Sequence, residues 1–142
     1  VVTASAAAFT PWPVLSAYAV SKAAVLSLAQ SLRTELHREG IGVSAICPGL
    51  VSTNITSVAR FAGQDPETER LSQQRATKGL HGRHFPPERV AAAILDAVRR
   101  NRAVVPVTPE GWLAAIGSRI SPNAVRLAGR WSLGASPWNQ RG

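Results

Sequence analysis

The chain has 142 residues, 45% of them apolar, and a formal net charge of +8 from 16 basic and 8 acidic side chains. That is one domain's worth of sequence with enough apolar content for a sizeable core, which excludes a disordered chain. The single cysteine, Cys47, excludes an internal disulfide framework, and no apolar run approaches the ~18 residues of a membrane span, so the reading is a cytoplasmic protein.

In chain order, residues 1–5 form a β-branched run ending in small residues, which predicts a buried parallel strand. A Pro-punctuated loop follows at residues 9–13. Ser16 is the expected cap of a helix reaching about Arg38 or Glu39. Its apolar positions Val25, Ala29, Leu32 and Leu36 share one face, and stepping back along that face reaches Lys22 and Tyr18. Two polar tips aimed at a core need a partner or a cleft. Gly40 and Gly42 end the helix, and residues 41–47 make the next strand, with Cys47 as a small buried hydrophobe. The stretch from Gly40 to Ala45 matches the G-x-G-x-x-A expression for dinucleotide binding. It closes a helix and enters a strand, the reverse of the order that expression needs, so these glycines are caps.

Residues 54–85 have mixed polarity and one short helix after Pro66, the pattern of a lid or substrate loop. Pro86-Pro87-Glu88 starts a helix to about Arg100 with apolar Val90, Ala91, Ile94, Leu95 and Val98. Residues 103–107 give a third strand. Thr108-Pro109-Glu110 and Ser121-Pro122 each read as a cap followed by Pro in the first turn. Strand–helix–strand order makes this an α/β chain of the doubly wound, Rossmann-like type. Residues 1–107 are the expected catalytic domain and 108–142 a basic helical extension.

Tyr18 is the only tyrosine, and Lys22 is one of two lysines. With that composition, chance puts a lysine four places after the tyrosine about one time in seventy. Residues i and i+4 lie on one helix face, and a cation beside a phenol favours the phenolate. Ser5 stands thirteen residues upstream of Tyr18, and a Pro48-Gly49-x-Val51-x-Thr53 string leaves the second strand. Serine, Tyr-x-x-x-Lys and Pro-Gly-x-Val-x-Thr, at these separations and on these elements, resemble the short-chain dehydrogenase/reductase family over residues 1–107.

The resemblance implies hydride transfer between NAD or NADP and the carbonyl or alcohol carbon of a small molecule. It implies Tyr18 as acid or base, Lys22 as its cationic partner and ligand of the nicotinamide ribose, and Ser5 as holder of the substrate oxygen. Pro48 and Gly49 would line the nicotinamide, with Val51 and Thr53 on its carboxamide. The glycine-rich phosphate loop of that family lies before this region, so the chain reads as the C-terminal half of a longer dehydrogenase. The alternative is a truncated, non-catalytic remnant acting through subunit or anionic-surface contacts.

For partners, Ala19, Ala23, Ala24, Ser27 and Ser31 leave the first helix a surface of small residues, and relatives pair there. A homodimer or tetramer is expected. The positive charge is arginine scattered among acidic neighbours, with no RRM, KH or helix-turn-helix signature, so no nucleic-acid partner is expected. His37, His81 and His84 form no metal-ligand set. After Glu110 there is no acidic residue, while Arg119, Arg126, Arg130 and Arg141 accompany Trp112, Trp131 and Trp138. Peripheral contact with an anionic membrane is one reading of that end, and cover for an apolar substrate or a neighbouring subunit is the other.

Overall fold

The computed structural model describes residues 1–10, 15–59, 65–82 and 85–132. Residues 11–13 of the expected loop, Arg60, Gly63, Arg83, His84 and the tail bearing Trp138 and Arg141 lie outside the described residues. The chain divides into two compact units, Val1–Gly49 with Val90–Gly142, and Leu50–Arg89.

The first unit is built on three parallel strands, β1 (Val2–Thr3), β2 (Ala45–Cys47) and β3 (Val104–Pro106), side by side in that order. Parallel neighbours need a crossover, and helix α1 (Ser16–Glu35) supplies it between β1 and β2. The strands are shorter than the runs that predicted them: β2 pairs only over the last three residues of its run, and β1, expected to be buried, keeps Val2 half-buried and Thr3 exposed. Alternation in β2 sorts the core. Ala45 and Cys47 pack with Leu26, Ala29 and Val43 on the α1 side. Ile46 packs with Ala97 and Val105 against the second helix of this layer. A strand covered on both faces is apolar throughout, and all three residues of β2 are fully buried.

Helix α1 departs from expectation at both ends. Its cap position is Leu15, with no side-chain cap bond, and Ser16 is the first helical residue. The helical ladder already opens with Ala19 N–H donating to the Leu15 carbonyl, which leaves Ser16 inside the first turn. The helix stops at Glu35 rather than at residues 38 or 39. The chain folds under itself there, Ile41 N–H reaching the Leu36 carbonyl and Gly40 N–H the His37 carbonyl. Gly40 sits at φ +70, the left-handed region a glycine enters without strain. Gly40 and Gly42 therefore terminate a helix and lead into a strand, as their sequence context indicates.

The second unit contains a 3₁₀ turn, Asn54–Ser57, and helix α2 (Pro66–His81). Sixteen helical residues replace the short helix expected after Pro66. Asp65 explains the firm start: one carboxylate oxygen accepts the backbone N–H groups of Glu67 and Thr68 at 3.0 and 3.1 Å. The Thr68 side chain first, and these backbone bonds after it, hold the Asp65 pKa below the ordinary carboxylate value. No described residue of 50–89 is buried. Polar contacts fasten the unit instead, with Thr56 and Thr77 hydroxyls 2.7 Å apart and Gln73 Nε2 donating to the Ala59 carbonyl at 2.8 Å.

Helix α3 (Pro87–Arg99) returns to the first unit and turns Val90, Ile94 and Ala97 onto the sheet, while Leu95 and Val98 stay exposed. Helices α4 (Pro109–Ile120) and α5 (Pro122–Ser132) follow β3. Leu113, Ile116, Ile120 and Leu127 are exposed on them. No helix among the described residues is long and apolar enough to cross a membrane.

Candidate active site

The first turns of α1 lie beside the C-terminal end of β1, and one bond fixes the relation. Lys22 Nζ donates to the carbonyl of Thr3, the last residue of β1, at 3.2 Å. The same ammonium lies 5.8 Å from the centroid of the Tyr18 ring. Helical spacing brings the two side chains together, and the strand end holds the cation in place. The expectation that both tips point into the core is corrected here. Tyr18 is 45% exposed, because α1 extends past the sheet edge and only Leu26 and Ala29 are buried along it. The face that is core in the middle of the helix is open surface at its start. A phenol in that position is open to incoming molecules.

Ser5 is buried, with a double structural task. Its Oγ accepts the Ala7 N–H at 3.2 Å, capping the 3₁₀ turn Ala6–Ala8, and points its proton at the Pro48 carbonyl at 3.5 Å. The second contact is at the long limit of a hydrogen bond. No hydrogen bond joins Ser5 to Tyr18 among the described residues. Ser5 instead touches the Pro48–Gly49 turn, and Ala6 N–H reaches the same Pro48 carbonyl at 2.7 Å. Four of the expected site residues thus fall into two couples, Tyr18 with Lys22 and Ser5 with Pro48. Both couples lie where strands β1 and β2 end. Ligands of open parallel α/β sheets bind outside the carboxyl ends of the strands.

Gly49 adjoins Pro48 and is half-buried. Val51 and Thr53 belong to the second unit, where Thr53 is the extended residue leading into the 3₁₀ turn. Cys47, just before the turn, is buried, and burial pushes its thiol up to about 11, against a smaller opposing pull from the Ser5 backbone N–H. A thiol so held is a packing group at neutral pH.

Behind Gly49 stand two residues that the sequence indicated only as a helix start. Thr108 is completely buried and caps α4, its Oγ1 accepting the Gly111 N–H at 3.2 Å. Both Thr108 Oγ1 and the Glu110 carboxylate occupy the space a Cβ on Gly49 would need. The Thr-Pro-Glu string carried the signal for the cap, but nothing local tells which strand exit that cap faces. Among the described residues no cluster of His, Cys, Asp and Glu could hold a metal ion.

A short chain dehydrogenase family model matches residues 1–62. The chain is 37% identical over 128 residues to probable oxidoreductase EphD of Mycobacterium tuberculosis, an alignment covering 89% of this chain and 22% of that protein. It is 41% identical over 83 residues to 3beta-hydroxysteroid dehydrogenase 1 of Eggerthella lenta, covering 58% and 30%. A crystal structure of a short chain dehydrogenase/reductase from Burkholderia phymatum, in complex with NAD, superposes with a TM-score of 0.69. That match has 23% identity and covers 87% of this chain and 47% of the other. The chain therefore spans less than half the length of these matched proteins.

Proposed function

The chain belongs to the short-chain dehydrogenase/reductase family, and from that premise we propose that the protein containing it is a nicotinamide-dependent oxidoreductase. It moves hydride between NAD or NADP and the carbonyl or alcohol carbon of an apolar small molecule, with Tyr18 as acid or base. The observation that carries this reading is the Tyr18–Lys22 couple, exposed at the sheet's C-terminal edge and anchored through Lys22 to Thr3.

The chemistry of the donor set fits a nicotinamide nucleoside. An ammonium has three N–H donors, and the Thr3 carbonyl takes one, which leaves Lys22 donors for ribose hydroxyls. Pro48 and Gly49 offer a half-buried turn at the end of β2, with Val51 and Thr53 after it. When bound, the nicotinamide supplies or accepts the hydride. The chain's residues manage the proton and the oxygen. In reduction, Tyr18 gives its phenolic proton to the substrate oxygen, and in oxidation it takes the hydroxyl proton. Lys22 sets its side-chain nitrogen beside that phenol in both directions. Ser5 contributes its hydroxyl to the same oxygen by exchanging the 3.5 Å contact with Pro48 for a shorter bond.

An apolar substrate is supported by the likeness to a hydroxysteroid dehydrogenase. A homodimer, or a tetramer built from it, is supported by the exposed face of α1, where Val20 and Leu28 stand bare to solvent with Ala24 between them. The deciding experiment is spectrophotometric, on the protein that contains this sequence. NADH and NADPH oxidation is followed with a steroid-like ketone and with a small polar ketone, in the wild type and in Tyr18→Phe. The expected result is turnover that prefers the apolar ketone and vanishes in the variant, while reduced cofactor still binds. A variant within threefold of wild type removes Tyr18 from the chemistry.

A further inference from the structure

Three contacts fix where β2 ends, and one of them is supplied from far along the chain. On one side, Ala6 N–H and Ser5 Oγ both reach the Pro48 carbonyl. On the other, Val107 N–H bonds the Cys47 carbonyl at 3.2 Å, which lays the exit of β3 along the exit of β2. The first turn of α4 then sits against Gly49. A Cβ built on Gly111 would lie 3.1 Å from Thr108 Oγ1 and 3.4 Å from the Cys47 carbonyl oxygen, so cap, helix start and strand end are in mutual contact.

We infer that Thr108 is a positioning residue for the cofactor: it is the fixed wall behind Gly49 that sets how far the Pro48–Gly49 turn protrudes toward the nicotinamide. The inference rests on the proposed oxidoreductase reading. Two groups fill the space behind Gly49, and they differ in stiffness. The Glu110 carboxylate is the far end of a long, half-buried and flexible side chain. Thr108 is completely buried, β-branched and tied to Gly111, so its hydroxyl has nowhere to go. Glycine at position 49 therefore answers to the protein side of the turn. Any residue with a Cβ must push the turn outward, into the space the cofactor needs. A displacement of about 1 Å at a positioned group is enough for a large loss of function.

The test is a double-mutant cycle on the protein containing this sequence, comparing Gly49→Ala in three backgrounds: wild type, Thr108→Ser and Thr108→Ala. NADH and NADPH dissociation constants are measured by fluorescence titration at a temperature where every variant is folded, and melting is recorded in parallel. In the wild-type and Thr108→Ser backgrounds, Gly49→Ala is expected to weaken cofactor binding by about tenfold or more, because the hydroxyl wall remains. In the Thr108→Ala background the same change is expected to cost about threefold or less, because the wall has been removed. Equal losses in all three backgrounds overturn the inference, since the methyl then strikes something other than Thr108. Non-additive melting with unchanged dissociation constants also overturns it, leaving Thr108 a purely structural cap. Wild-type protein that binds neither cofactor overturns the oxidoreductase reading together with this one, and that result is distinct from a wild type that binds while the cycle is additive.

Discussion

The two ends of the same three strands are built on opposite plans. At the N-terminal end Arg33 reaches from α1 across the mouth of the sheet and closes it. Its guanidinium donates to the Val43 carbonyl at 2.8 Å, to the Asn101 carbonyl at 2.7 Å and to Asn101 Oδ1 at 2.9 Å. That one side chain joins the helix that precedes β2, the entry of β2, and the turn between α3 and β3. Asn101 holds φ +48 to meet it, a conformation Asn tolerates better than most residues. At the C-terminal end the polar groups are spread out. Tyr18 is exposed, Lys22 uses one donor on Thr3, and Ser5 makes a long bond to Pro48. Satisfied polar groups stabilise a fold, whereas incompletely used ones are available to a ligand. On the proposed reading, one end is structural and the other carries the chemistry.

That division can be broken by experiment, most severely at the open end. Tyr18→Phe should lower kcat/KM by a factor of order 10² to 10⁴, because a positioned proton donor is lost. Its stability should stay within about 0.5 kcal/mol of wild type, since an exposed side chain loses only its hydroxyl. Steady-state kinetics and urea denaturation of the same preparation check both halves. A comparable loss of stability would mean that the open end is structural as well.

Arg33→Ala should do the converse. It leaves the carbonyls of Val43 and Asn101 without their charged donor, at a cost of about 1–3 kcal/mol. Turnover of the folded protein should remain within about threefold of wild type. Chemical denaturation with an assay below the transition tests this, and a drop in turnover at full folding would erase the distinction between the ends.

At the last position of β2 lies Cys47, whose thiol is raised from 9.0 to about 11 by burial. The folded state keeps the proton longer than the unfolded chain does. Its contribution is therefore complete below about pH 9 and is lost as pH rises from there through about 11, by an amount of order 2–3 kcal/mol. Denaturation midpoints from about pH 8 to 11, in wild type and Cys47→Ala, should converge as pH rises. Parallel curves would mean that the thiol ionises alike in both states.

The smallest expected effect concerns the outer face of α1. Leu28→Arg should turn a sedimenting dimer or tetramer into a monomer at micromolar concentration while leaving the fold intact. A wild type that sediments as a monomer disposes of the pairing.

The sequence by itself determined the parts whose information is local. Spacing of i and i+4 put Tyr18 and Lys22 together, glycine at 40 marked a helix end, and a continuous apolar run marked β2, the strand buried on both faces. It was less informative where an element lacks an apolar face. Helix α2 buries no described residue and owes its start to Asp65 bonding backbone groups two and three residues on, so hydrophobic periodicity could not measure its length. Tertiary structure decided whatever depends on residues distant in the chain. The helical pattern carried the apolar face of α1 back to Tyr18, but where the sheet stops decides that Tyr18 is open surface. The turn Pro48-Gly49 was visible as a motif, yet its wall comes from Thr108, about sixty positions later, because parallel strands lay their exits side by side however far apart they stand in sequence.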